Sequence, residues 1–187
     1  PNECSAKSYH ISELHIIAKI NHDGSMDVSE HRTFNFNGDF TWVTQVLSLE
    51  GCSGISDIMV SEGGRDYILA DSGEGTFSCN RVYDTIEVTW RYKASNEKRT
   101  FTLSYKVNDV VLVHEDVAEL YWKFIGDAWE VHSENILIEL YLPDSFTETQ
   151  DEMNKVRAWG HGPLSGEVQI VPPNKITWTV DFLPPET

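Results

Sequence analysis

Basic residues are scarce: 14 lysines and arginines stand against 30 aspartates and glutamates, a formal net charge of −16. Such a field repels a phosphate backbone and excludes nucleic acid as the main partner. It also disfavours direct docking on an anionic membrane surface. Cysteine is rarer still, with three in 187 residues. Cys4, Cys52 and Cys79 form no CxxC and no Cys/His ladder, so structural zinc is not expected. No apolar run reaches the ~20 residues of a membrane-spanning helix, and no signal-like segment opens the chain. Pro1 is not an initiator methionine, and the chain is expected to be a piece of a longer protein. The seven histidines include no HxH or HExxH, no serine sits in a GxSxG elbow, and no D-x-D-x-D-G calcium loop occurs. Low-complexity tracts and internal repeats are missing as well, which leaves a single domain over 1–187 as the simplest parse, with a change of period near Asp109 as the one place for a break.

What is present is alternation. Ile86, Val88, Trp90 and Tyr92 share one phase, and after Ala94-Ser95-Asn96-Glu97-Lys98 so do Phe101, Leu103, Tyr105 and Val107. A period of two with turn residues between predicts a β-hairpin with one dry face. Leu14, Ile16, Ala18 and Ile20 run into the turn Asn21-His22-Asp23-Gly24, and Met26, Val28, Phe34 and Phe36 continue the inward phase. Ile136 to Leu142 stops at Pro143, Val168 and Ile170 stop at Pro172-Pro173, and Ile176 to Phe182 stops at Pro184-Pro185. These segments predict a mostly β fold: an antiparallel sandwich, or a barrel-like sandwich, with one short helix. The helix is expected over Glu115–Phe124, where Val117, Leu120, Tyr121 and Phe124 recur at three and four residues. Asp144 to Lys155 reads as a polar loop or one helical turn.

Trp90 and Trp178 share phase with aliphatic residues and are expected in the core. Trp42, Trp122, Trp129 and Trp159 fall outside clean alternation, where rings either pack under loops or stack on sugars and partners. Glu115, Asp116 and Glu119 bring three carboxylates together, as does less fully Asp71-Ser72-Gly73-Glu74. Ca²⁺ takes several oxygens at once, but acids at a helix start are ordinarily explained by capping and the helix dipole. No cofactor is therefore expected, with Ca²⁺ the one ion left open.

Four stretches carry a resemblance: Asp23-Gly24-Ser25-Met26-Asp27-Val28-Ser29-Glu30, Arg99-Thr100-Phe101-Thr102-Leu103-Ser104-Tyr105, Ala118-Glu119-Leu120-Tyr121-Trp122-Lys123-Phe124-Ile125-Gly126, and Trp159-Gly160-His161-Gly162-Pro163-Leu164-Ser165-Gly166. In order and spacing they resemble the extracytoplasmic N-terminal domain of the YciQ-like predicted bacterial membrane proteins. The resemblance implies a β domain on the outer face of the cell membrane, attached through segments beyond this chain. It brings no catalytic residue and no ligand. An exported protein meets oxidising conditions, so Cys52 and Cys79, both in turn-rich stretches, are expected to pair and leave Cys4 free. Closing that loop would contribute about 3–4 kcal/mol. Pro184-Pro185-Glu186-Thr187 is expected to be a boundary that ends a strand, not a wall-anchoring signal.

The function expected is that of a non-catalytic, membrane-tethered binding domain for a protein or a cell-wall glycan. A glycan hydrolase using a carboxylate pair is the alternative, and a structural spacer the second. Any functional surface is expected where Glu119–Trp129 meets Trp159–Gly166, because a sequence that breaks its local rule turns a corner or builds a site. Tyr121, Trp122, Trp129 and Trp159 would supply rings, and His161, Glu115, Asp116 and Glu119 polar edges.

Overall fold

A computed structural model describes residues 6–143 and 153–185. Cys4, Asp144–Glu152 of the polar loop and Glu186-Thr187 lie outside the described residues. Eight strands form the larger sheet, in the spatial order β13 (Glu167–Val171), β14 (Lys175–Leu183), β12 (Ser133–Tyr141), β1 (Ser8–Ile20), β2 (Met26–Asn37), β9 (Lys98–Asn108), β4 (Gly54–Glu62) and β5 (Arg65–Asp66). A four-stranded sheet runs β3 (Asp39–Ser48), β8 (Thr85–Ser95), β7 (Thr76–Val82) and β6 (Ile68–Leu69). β10 (Val111–Val113) and β11 (Ala118–Leu120) make a separate ribbon. The two main sheets pack as an open sandwich, not a closed barrel. Pairing is antiparallel except between β1 and β12 and between β6 and β7.

Alternation explains the core. Ile11, Leu14, Ile16 and Ala18 on β1 are fully buried, as are Met26 and Phe34 on β2, with Trp90, Tyr92, Phe101 and Leu103 against them. Phe34 sits at the centre of a ring cluster, with centroids 5.6 Å from Phe36, 5.9 Å from Phe101 and 6.0 Å from Trp129. Rings of this size bury more apolar area than any other side chains; here Phe36 stacks parallel to Phe34, while Phe101 meets it edge-on and Trp129 at a tilt.

Two expectations are corrected. The segments around Trp90 and Phe101 are strands, but not a hairpin: β8 pairs with β3 and β7, and β9 pairs with β2 and β4. The chain crosses from one sheet to the other at Ser95–Lys98, so the two dry faces look at each other across the sandwich, and Tyr92 meets Phe101 at 4.7 Å. A second crossing, from β2 to β3, takes place at Gly38, whose φ of +100° suits glycine. The two corners are tied together: the Gly38 N–H donates to Asn96 Oδ1 at 2.8 Å, and the Asn96 N–H to Gly38 O at 3.3 Å. The second correction concerns Glu115–Phe124, which is not a helix. Its first half is the tip and second strand of the β10–β11 ribbon, closed by the His114 N–H donating to Val117 O at 2.8 Å.

Candidate functional site

The large sheet is wider than the small one, and β12, β14 and β13 need another cover. The irregular segments 121–131 and 156–166 provide it. Gly126 lies against the Val46 carbonyl of β3, Phe124 meets Trp178 of β14 at 6.2 Å, and the Trp178 indole N–H donates to Trp159 O at 3.1 Å. A Cβ at Gly160 would come within 3.1 Å of Trp178 Cδ1, so the backbone there lies flush on the sheet. The two segments meet through Tyr121 and His161, with ring centroids 6.5 Å apart.

Beneath this cover lies a polar cluster that sequence reasoning passed over. Glu30 and Arg32 of β2 and Tyr105 of β9 occupy inward positions among apolar neighbours, and Gln45 of β3 reaches across from the small sheet. Glu30 Oε2 accepts from Arg32 Nη2 at 2.5 Å, Arg32 Nε at 3.1 Å and Gln45 Nε2 at 2.9 Å, and Glu30 Oε1 accepts from the Tyr105 hydroxyl at 2.7 Å. Gln45 Oε1 in turn accepts from Arg32 Nε at 3.1 Å. Burial, and then the adjacent Glu30 carboxylate, push the Tyr105 phenol far above its ordinary pKa, so it stays a donor. Arg32 Nη1 has no acceptor among the described residues, and the guanidinium stacks on Trp129 at 4.8 Å. The quartet therefore clamps the two sheets together and seats the cover. The visible signal was the run Met26, Val28, Glu30, Arg32, Phe34, Phe36 on one strand phase, two charges where apolar residues belong.

The expected site residues divide accordingly. Trp129 is buried on Arg32 and Phe34, the packed outcome of the two left open for it, and so offers no ring to a ligand. Trp122 is half-buried, its indole N–H closed off from solvent beside the Tyr105 hydroxyl. Tyr121 and Trp159 are largely exposed, at 71% and 73%, and His161 is exposed beside them. Glu115, Asp116 and Glu119 line the exposed ribbon, where Glu119 lies 3.9 Å from His114. Leu112, Val113 and Val117 on the ribbon, and Leu164 in the loop, also face solvent. The expected disulfide is absent: Cys52 and Cys79 are free. Cys52 sits in the turn between β3 and β4 with its thiol donating to Leu49 O at 3.4 Å, while Cys79 lies on β7 in partial contact with the core. Burial raises both thiols above their ordinary pKa.

Two shallow depressions open elsewhere. One, of about 240 Å³, is lined by Trp42, Glu74, Arg91 and Lys93 among others. The other, of about 330 Å³, holds Asp27 and Asp57 beside Lys106. Burial works to raise Asp27, but hydrogen bonds from Asn21 and Lys106 outweigh it and hold the carboxyl below its ordinary pKa. A group so held is a poor general acid. Among the described residues, one set of side chains is close enough to share a metal ion: His10, His132 and Glu134.

Among solved structures, the chain is similar to a candidate nutrient-binding protein from Legionella pneumophila, with 9% identity and a TM-score of 0.53, over 92% of this chain and 63% of that one. At that identity the likeness concerns the fold alone, and the chain spans less than two thirds of the other protein. It also aligns with an M1 zinc metallopeptidase from Deinococcus radiodurans, at 10% identity and a TM-score of 0.44, over 92% of this chain and 39% of that one. A score that low carries no argument. No curated protein matches the sequence. The family model described as "Predicted membrane protein (DUF2207) N-terminal domain" matches residues 10–187, and the chain belongs to that family.

Proposed function

We propose that this domain is a non-catalytic recognition module of a membrane protein, working on the extracytoplasmic side and binding a protein partner. The observation behind this reading is the exposure of large apolar side chains along the ribbon and along the loop that meets its end at Tyr121 and His161: Leu112, Val113, Tyr121, Trp159 and Leu164. Scattered single apolar residues are ordinary on a protein surface, whereas a group of them rimmed by charge marks an interaction surface. The same ribbon carries the exposed acids Glu115, Asp116 and Glu119, on a chain of net charge −16. A partner with an apolar centre and basic surroundings would complement it. The Trp178 indole N–H donates to the Trp159 carbonyl, which ties down the backbone that carries the exposed ring.

The test is site-specific photo-crosslinking in the full-length membrane protein in cells. Probes at Tyr121 and Trp159 should give one discrete protein adduct, and a probe at the exposed Tyr83 should not. Equal adducts from all three positions, or none from any, would overturn the reading.

A second reading, glycan binding, is favoured by Trp42, which is 60% exposed in the depression with Glu74, Arg91 and Lys93. An indole face beside charged hydrogen-bonding groups suits a sugar ring. Titration with soluble cell-wall fragments, followed by indole fluorescence in the wild type and W42A, separates the two readings.

A further inference from the structure

We propose that His10, His132 and Glu134 bind a divalent transition-metal ion, with Zn²⁺ as the reference species. This inference is independent of the recognition surface described above. His10 lies on β1, His132 immediately precedes β12, and Glu134 is the second residue of β12. The parallel register of β1 on β12 sets Ile11 beside Ser133, and the Ile11 N–H donates to His132 O at 3.2 Å, so His10 and His132 stand side by side. In a strand, residues two apart share a face, which places Glu134 with His132. The two imidazoles stack at 4.9 Å, the Phe182 ring closes on the far side of His132 at 5.2 Å, and Glu134 Oε1 lies 3.2 Å from His132 Nε2. One ligand atom from each residue lies within 4.8 Å of the other two, and all three residues are partly sheltered from solvent.

Two imidazoles and one carboxylate are a donor set zinc accepts while keeping a position open for water or another ligand. Zn–N and Zn–O bonds of about 2.0–2.2 Å bring tetrahedral ligand atoms to roughly 3.3–3.5 Å apart. Contraction from the present spacing needs only side-chain rotation, because the backbones are already fixed by the ladder. The local backbone is specialised as well. β1 shifts register against β2 between Ile11 and Glu13, Asn135 takes a φ of +50°, and the Asn135 side-chain amide donates to Ser12 O at 3.0 Å. Bulges of this kind re-aim side chains at functional positions. Phe182 supplies an apolar wall against the imidazole, and the acidic surface concentrates cations near the site. Without metal, Glu134 Oε1 lies against His132 Nε2 and the two imidazoles stack; the ion would draw one ligand atom of each residue inward. Imidazole-rich sites bind Cu²⁺ and Ni²⁺ too, in the usual order of divalent ions.

The experiment is isothermal titration of the folded domain with Zn²⁺, alongside nuclear magnetic resonance of its histidine rings. The expected result is one equivalent bound at micromolar or tighter affinity, with His10 and His132 resonances shifted and His22 unmoved. H10A, H132A and E134Q should each weaken binding tenfold or more, while H22A binds as the wild type. Co²⁺ in place of Zn²⁺ should give visible ligand-field bands that H132A abolishes. Saturation only at millimolar Zn²⁺, or H10A and H132A binding as tightly as the wild type, would overturn the proposal. The ring resonances of the wild type decide the matter even if a variant folds poorly.

Discussion

At the residue scale the decisive feature is Glu30 and Arg32, a charged pair with side chains 0% and 2% exposed between two sheets. Removing either partner alone strands the other charge in the core, which costs about 3–5 kcal/mol. Urea unfolding of E30Q and R32M should show that loss in each, whereas replacing both with apolar residues should cost less than the sum of the singles. Additive losses would show that the two act separately. His31 carries a second prediction. Burial first, and then the positive charge of His15 at a ring distance of 6.0 Å, hold its pKa below the ordinary value. The folded state therefore binds fewer protons than the unfolded chain just below the usual histidine pKa, so stability falls as pH drops through that window. Glu139, held below its ordinary pKa by hydrogen bonds from Lys175 and His15, adds a further loss at lower pH as it protonates. Melting temperature followed from pH 8 to pH 4 should decline in the wild type, with a shallower decline between pH 6.5 and 5 in H31Q. A profile unchanged in H31Q would remove His31 as the cause.

At the element scale the corners matter more than the strands. Gly38 has φ +100°, and a Cβ there would lie 2.7 Å from Lys7 Cβ. G38A should destabilise by about 1–3 kcal/mol through backbone strain, measurable by denaturant midpoint, whereas G63A, in the turn between β4 and β5 where a Cβ has open space, should cost less. Strand positions were legible in the sequence because a half-buried strand has to alternate: Ile86 to Tyr92 and Phe101 to Val107 are where they were expected. Their partners were not legible. A hairpin and a corner between sheets present the same alternation and similar turn residues, and the choice rests on β3 and β2, far away in the chain. The ribbon failed for another reason: strands of three residues are too short to show a period, so the spacing of Val117, Leu120, Tyr121 and Phe124 imitated a helix. Of the rings, Tyr121 and Trp159 face solvent, while Trp129 packs on a buried guanidinium; the sequence left both outcomes open for the tryptophans. His10 and His132 could not be associated from the sequence, since only the parallel pairing of β1 and β12 brings them together.

For the whole molecule, net charge and free thiols make separate demands. With −16 on a chain of 187 residues, self-repulsion opposes the compact state, and its range shrinks to about 10 Å at 0.1 M salt. Raising sodium chloride from low to physiological concentration should raise the melting temperature; a fall would mean that attractive pairs such as Lys175–Glu139 dominate. Because Cys52 and Cys79 are unpaired, a reducing agent should leave that temperature unchanged, and both thiols should react with Ellman's reagent only slowly before unfolding. A drop on reduction would point to a disulfide.

The parallel pairing of β1 with β12 also governs the time course of folding. His15 and Glu139, neighbours across that pairing, are 124 residues apart in the chain. A ribosome adds about 5–20 residues per second, so β1 waits roughly 6–25 seconds for its neighbour to be made. Throughout that interval one edge of β1 offers unpaired backbone groups that invite association with other chains. Contacts between such distant segments also fold slowly once the chain is complete, because loop closure precedes any gain from packing. Nascent chains stalled before β12 should therefore be bound by holding chaperones, and release past β14 should free them.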